Sequence, residues 1–237
     1  MSAVTVNLGA GSASGAGVTD TITLFENVIG SSLSDLIIGD SGANSVSAGE
    51  GADTVEVGEG ADTIDAGAGD DLVLGGSGSD SLIGGTGTNT LSYSDANNGI
   101  SVDLSSGTAN GGVFGNDTFT GFVNVIGSIA GDSIVGDSGA NSVSAGEGAD
   151  TVTGGLGANV LDGGDGIDVL TYQSMTSAVT VNLGAGSASG AGVTDTITLF
   201  ENVIGSSLSD LIIGDSGANS VSEIGRASCR ERVCLYV

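Results

Sequence analysis

A nine-residue period governs this chain. Read from Gly39, consecutive units are GDSGANSVS, AGEGADTVE, VGEGADTID, AGAGDDLVL, GGSGSDSLI and GGTGTNTLS, ending at Ser92. A second run over 136–171 reads GDSGANSVS, AGEGADTVT, GGLGANVLD and GGDGIDVLT, and a third begins at Gly214. The fourth residue of the first-run units is always Gly: Gly42, Gly51, Gly60, Gly69, Gly78 and Gly87. The sixth is Asp or Asn, and the eighth is a branched apolar residue (Val46, Val55, Ile64, Val73, Leu82, Leu91). Half-matching units, GSSLSDLII and GSIAGDSIV, precede the runs. A coarser repeat overlies the fine one: Ser2–Ser47 recurs unchanged as Ser177–Ser222.

Six turn-prone residues followed by x-apolar-x predict a turn and a short strand in each unit. One large apolar side chain per strand gives one inner face. A single unit cannot bury that side chain, but stacked units can, so the period predicts an all-β solenoid of parallel strands. Burying one Val, Leu or Ile contributes roughly 1.5–3 kcal/mol. Ordering nine residues costs about 1 kcal/mol or more each. Apolar burial alone therefore does not hold such a fold.

Charge sharpens the problem. Residues 1–222 carry 27 carboxylates and no Lys, Arg or His; the three arginines (Arg226, Arg230, Arg232) and both cysteines (Cys229, Cys234) fall in the last fifteen positions. Without His there is no Ser-His or Cys-His catalytic pair and no imidazole metal ligand, so the chain reads as a non-enzyme. Without cations, phosphate backbones go unneutralised, which excludes nucleic acid as a partner. Apolar runs are too short for a membrane-spanning helix, and no N-terminal secretory signal is read. Acidity with few aromatics suggests disorder or a salt-adapted surface. The fixed phase of both Asp and apolar residues argues against each. Carboxylates on strands about 4.8 Å apart repel by roughly 1 kcal/mol in water and by more at lower dielectric. The neutralising charge must come from solution, and hard oxygen donors without Cys or His suit Ca²⁺.

At these residues the chain resembles the RTX family of calcium-binding nonapeptide repeats, with pattern G-G-x-G-x-D-x-U-x, where U is large and apolar. GGSGSDSLI (75–83) and GGDGIDVLT (163–171) match best, and VTDTITLFENVIGSSLSD and LSYSDANNGISVDLSSGTA resemble segments between RTX blocks. The resemblance implies a parallel β-roll in which Ca²⁺ lies between turn n and turn n+2. It implies as ligands Asp35, Asp53, Asp62, Asp71, Asp80, Asp132, Asp150 and Asp168, with turn carbonyls such as those of Gly51, Gly60, Gly69 and Gly78. Asp53 would pair with Asp71, Asp62 with Asp80, Asp35 with Asp53, and Asp150 with Asp132 and Asp168. Asn44, Asn89, Asn141, Asn159 and Asn219 replace the Asp, which weakens those sites; roughly five to seven ions are expected. Ala48, Val57, Ala66 and Ala145 replace the first Gly, which bears on the turn geometry of their units.

The organisation that follows is a connecting solenoid segment over 1–38, a β-roll block over 39–92, a connecting segment over 93–135, a second block over 136–171, and a repeat of 2–47 over 172–222. The alternation in VTVNL, ISVDL and DTITLF predicts that connecting segments continue the solenoid with longer rungs. Tyr93 and Tyr172, after the last unit of each run, are expected to fill the core. The GDSGA strings are in register with the repeat and lack the His that a serine nucleophile needs. Residues 223–237 break a perfect repeat at Glu223, and EIGRASCRERV reads as a translated sequencing adapter. The function expected is a calcium-binding structural region of a secreted or cell-surface protein, exported by a type I route, that folds on Ca²⁺ outside the cell. It would be a monomeric segment with cell-surface, glycan or neighbouring-domain contacts. The alternatives are the non-catalytic module of an exported protease, lipase or polysaccharide-modifying enzyme, and an adhesive or ice-binding solenoid.

Overall fold

The computed structural model describes residues 2–190 and 192–222. It is all-β, and the nine-residue period sets its strands. Each x-apolar-x triplet is a strand, as at Thr54–Glu56, Leu72–Leu74 and Ser81–Ile83. Successive units lie on alternate sheets, so each strand pairs in parallel with the strand eighteen residues away. In one compact unit (residues up to Asn98, with Ser106–Asn124) the register is Ile37↔Val55↔Val73↔Leu91 on one sheet. On the other it is Val28↔Val46↔Ile64↔Leu82↔Phe119. The second unit (Gly99–Ser105 and from Val125 onward) repeats the scheme, with Ile134↔Val152↔Leu170↔Val203 and Val143↔Leu161↔Ile197. These eighth-position residues form the cores of the two units, and all are buried.

Glycine makes so tight a stack feasible. Gly69 lies directly over Gly51 at φ +145°, and a Cβ there would sit 1.7 Å from the Gly51 carbonyl oxygen. The second and fourth positions of most units share positive φ, whereas the first position does not. That is why Ala48, Val57, Ala66 and Ala145 are tolerated: all four point inward and are buried. The units that begin GDSGAN turn differently. With Asp at the second position, its carboxylate takes the Gly42 N–H at 2.8 Å, an Asx-type turn that replaces the positive-φ turn.

The connecting segments depart from the sequence expectation. They do not simply lengthen the rungs but insert antiparallel excursions into otherwise parallel sheets. Val4–Asn7, Ser12–Gly15 and Val18–Thr21 form a meander, as do Val179–Asn182, Ser187–Gly190 and Val193–Thr198. Thr108–Asn110 pairs antiparallel with Asn116–Thr120. The cause is local: Asn7 accepts the Ala10 N–H and Gly11 adopts φ +66°, which reverses the chain where a nonapeptide would continue the coil. The rise of antiparallel strands also explains why these segments show a two-residue rather than a nine-residue alternation.

Stacking of fourth-position glycines predicts a sharp contrast. Gly69→Ala should cost about 1–3 kcal/mol or more in denaturant unfolding of the folded protein, since it adds strain to a backbone clash. Gly42→Ala should change stability by less than about 1 kcal/mol, because its Cβ would meet only the Asp40 side-chain oxygen at 3.3 Å.

Candidate metal centre

The sixth residue of each unit precedes the strand and turns back under it. Its side chain is almost fully buried at every position from Asp35 to Asp168, at most 4% exposed. The carboxylates form ladders along the two edges. One oxygen of each accepts the backbone N–H of the sixth residue two units earlier. Asp35 N–H donates to Asp53 Oδ1 at 2.7 Å, Asp53 to Asp71 at 2.8 Å, and Asp62 to Asp80 at 2.8 Å. In the second unit Asp132 donates to Asp150 at 2.7 Å and Asp150 to Asp168 at 2.8 Å. The expected pairs are thus brought together, each through one carboxylate oxygen and one amide.

The other oxygen decides the chemistry. Oδ2 of Asp53, Asp62, Asp71, Asp80, Asp150 and Asp168 is buried and accepts no hydrogen bond; Asp210 Oδ2 is the same. A buried unpartnered polar atom costs about 1–3 kcal/mol and more when charged, and residues 2–222 contain no basic side chain to offset it. Hard anionic oxygens without a counter-charge fit a hard divalent cation. Among the described residues no three His, Cys, Asp or Glu side chains converge as in an all-side-chain cage. A cation here would therefore draw its remaining donors from the backbone.

Comparison with known families agrees with this arrangement. A family model described as "RTX calcium-binding nonapeptide repeat (4 copies)" matches residues 29–64, 56–91 and 126–170. The chain carries RTX calcium-binding repeats. A search of curated proteins found no match. The matched spans hold all eight of the expected Asp positions.

The structure divides those RTX positions into classes that the sequence pattern does not. Asp35 and Asp132 differ from the other six because both of their oxygens are occupied. Asp35 accepts from Val4 N–H (2.7 Å), Ser31 Oγ (2.9 Å) and Ser31 N–H (2.5 Å). Asp132 accepts from Ile100 N–H, Ser128 Oγ and Ser128 N–H. A Ser stands four residues before each, but it does not define the class by itself, since Asp210 has Ser206 at the same spacing and keeps an unpartnered Oδ2. The Asn positions spend their single oxygen on backbone amides. Asn44 and Asn141 accept from Asp40 and Asp137 within their own turns, while Asn89 and Asn159 accept from Asp71 and Asn141 in the ladder.

Sequence reasoning missed the residues that end two of the ladders. Asp117 accepts the Asp80 N–H at 2.9 Å, and its other oxygen takes the Tyr93 hydroxyl at 2.6 Å. Asp195 likewise accepts the Asn159 N–H at 3.0 Å and the Tyr172 hydroxyl at 2.7 Å. The two tyrosines do fill the core, as expected, but each also caps a carboxylate. Gly75 makes the room: a Cβ there would lie 2.5 Å from the Tyr93 ring. Asp117 and Asp195 lie outside the nonapeptide runs, so no periodicity flagged them. A Tyr directly after the last unit, followed by a D-T-x-T strand, is the motif that would have.

Burial dominates the titration of the ladder. It pushes Asp62, Asp117 and Asp150 up to about 6, with backbone hydrogen bonds opposing and neighbouring carboxylates adding to the rise. Asp53, Asp71, Asp80 and Asp168 are raised for the same leading reason. Burial, and then the charge of the facing Asp, also raises Tyr93 and Tyr172, so both stay protonated donors.

A carboxylate whose value is higher folded than unfolded favours folding in its protonated form. Its contribution is full below the unfolded value of 3.8 and disappears as pH rises through about 6. The metal-free chain should therefore show more β-structure by circular dichroism at pH 5 than at pH 7.5. Equal or greater structure at pH 7.5 would show that the ladder carboxylates are not destabilised by ionisation.

Proposed function

We propose that this chain is a calcium-dependent structural segment of a secreted or cell-surface protein, one that folds when it meets Ca²⁺ outside the cell. The observation that carries this reading is the set of seven buried carboxylate oxygens without partners, six of them at expected ligand positions, in a body without cations. Asp53, Asp62, Asp71, Asp80, Asp150 and Asp168 are the residues assigned to hold the ions, joined by turn carbonyls such as those of Gly51, Gly60, Gly69 and Gly78. Ca²⁺ supplies the positive charge that the sequence omits; it carries no chemistry on a substrate.

What the chain's own residues do follows from their positions. Oδ1 of each ladder Asp is fixed by a backbone amide in the stacked coils, which leaves Oδ2 free for the ion. Because the donors are supplied by units eighteen residues apart, they come together only when the coils stack. Binding and folding are then one equilibrium. Without Ca²⁺ the like charges extend the chain, which suits export in an unfolded state; millimolar external Ca²⁺ closes it. Asp35 and Asp132, already saturated by Ser31, Ser128 and backbone amides, serve as hydrogen-bonded ladder members, and the four Asn positions do the same.

Calorimetric titration with CaCl₂ at pH 7.5 tests this assignment. Asp62→Asn should lower the Ca²⁺ stoichiometry or weaken binding by about tenfold or more, since it removes one charged donor from a site. Glu59→Gln, an exposed carboxylate away from the ladder, should leave the isotherm unchanged. Absence of heat and of binding at millimolar Ca²⁺, or equal loss in both variants, would overturn it.

A further inference from the structure

One ladder in each unit ends on an Asp capped by a tyrosine, and the two ladders differ in the residues that lead to it. In the first unit the order is Asn44, Asp62, Asp80, Asp117. The Asn44 amide donates to Asp62 at 2.7 Å, Asp62 to Asp80 at 2.8 Å and Asp80 to Asp117 at 2.9 Å, and the Tyr93 hydroxyl closes the ladder on Asp117. In the second unit the order is Asn141, Asn159, Asp195. The Asn141 amide donates to Asn159 Oδ1 at 3.0 Å and the Asn159 amide to Asp195 Oδ1 at 3.0 Å, and the Tyr172 hydroxyl closes the ladder on Asp195 Oδ2 at 2.7 Å. Counted back from the capped Asp, Asn159 stands where the first unit has Asp80, and Asn141 where it has Asp62.

That exchange removes the unpartnered oxygens. Oδ2 of Asp62 and of Asp80 is buried and accepts nothing, whereas no oxygen of Asn141, Asn159 or Asp195 is buried without a partner. Asn159 offers a single side-chain oxygen, which the Asn141 amide fills. Its Nδ2 donates to Asp195 Oδ1 at 2.9 Å and to the Leu156 carbonyl at 3.3 Å. Asn141 accepts the Asp137 N–H at 3.0 Å. Asp195 thus receives two donors on one oxygen and a hydroxyl on the other. The coil geometry is otherwise kept. Val160 N–H donates to the Asn141 carbonyl at 2.9 Å and Thr196 N–H to that of Asn159 at 2.8 Å, as Ser81 and Thr118 do to Asp62 and Asp80 at 2.8 and 2.9 Å. Val143, Leu161 and Ile197 stack in register and are buried. Burying a satisfied amide avoids the penalty that an unpartnered carboxylate oxygen incurs.

We propose that the Asn141–Asn159–Asp195 edge takes no Ca²⁺, because hydrogen bonds from Asn159 and Tyr172 do there what an ion does on the other edges; the inference rests on the calcium reading above. In the second block ions then lie along the Asp150–Asp168 edge alone, whereas the first block takes them along both edges. Asn141 and Asn159 decide this by lacking the second carboxylate oxygen, and Tyr172 completes it by occupying Asp195 Oδ2. A calcium site gains affinity from the number of charged oxygens it gathers, and this edge leaves none free.

Native mass spectrometry of the full chain at saturating Ca²⁺ counts the ions, with circular dichroism on the same samples to report folding. Asp195→Asn should hold as many ions as the parent, whereas Asp168→Asn should hold at least one fewer. Asn141→Asp/Asn159→Asp, which gives this edge the Asp pair of the first unit, should hold one more than the parent. An Asp195→Asn chain that keeps its β spectrum but loses an ion overturns the proposal. A folded double variant with only the parent's count overturns it too, and that variant decides the matter if Asp195→Asn does not fold. A parent chain that folds without retaining any ion overturns the calcium reading itself, and the proposal falls with it.

Discussion

Buried carboxylates stacked without a counter-charge are the constraint on which everything else depends. Seven of the described aspartates each place one oxygen inside the fold without a hydrogen-bond partner, and no Lys, Arg or His exists in residues 2–222 to compensate. A core of one Val, Ile or Leu per nine residues cannot carry that penalty together with the entropy of ordering a glycine-rich chain. On the proposed reading the fold is conditional and is completed by protons or a divalent cation, and at neutral pH Asp62 and Asp150, raised to about 6, are mostly ionised.

Backbone geometry is what concentrates the charge. Fourth-position glycines let coils approach until Gly69 lies over Gly51 with no space for a methyl group. The same approach brings sixth-position amides within 2.7–2.8 Å of the carboxylates two units on. The interaction that orients the ladder is thus an ordinary hydrogen bond, and the oxygen that is left over is the proposed metal donor. Ladder ends need a different solution, and the chain uses two: Tyr93 and Tyr172 cap Asp117 and Asp195, while Ser31 and Ser128 saturate Asp35 and Asp132.

Much of this was legible in the sequence because the period fixes phase. The all-β coil of parallel strands and the eighth-position core follow from nine-residue spacing, while the pairing of Asp53 with Asp71 and of Asp62 with Asp80 is what the resemblance to RTX repeats implied. What escaped did so for identifiable reasons. Asp117 and Asp195 sit in segments where the period lapses, so their place in the ladder depends on three-dimensional register. The antiparallel meanders at Val4–Thr21 and Val179–Thr198 arise from Asn and Gly reversals that a two-residue alternation does not distinguish from a longer rung. Asp35 and Asp132 share the repeat's phase with the free-oxygen positions, and only the three-dimensional hydrogen bonds to both of their oxygens reveal the difference. The proposed adapter origin of residues 223–237 lies outside the described residues.

The central claim is that a cation from solution, not the chain itself, completes the fold. Amide hydrogen exchange at pH 7.5, measured with Ca²⁺ and after its removal by chelation, tests it most directly. The account predicts strong protection of the amides of Asp53, Asp62, Asp71, Asp80, Asp150 and their strands in Ca²⁺, and near-complete loss of that protection after chelation, restored on adding Ca²⁺ back. Protection that survives chelation unchanged would contradict it.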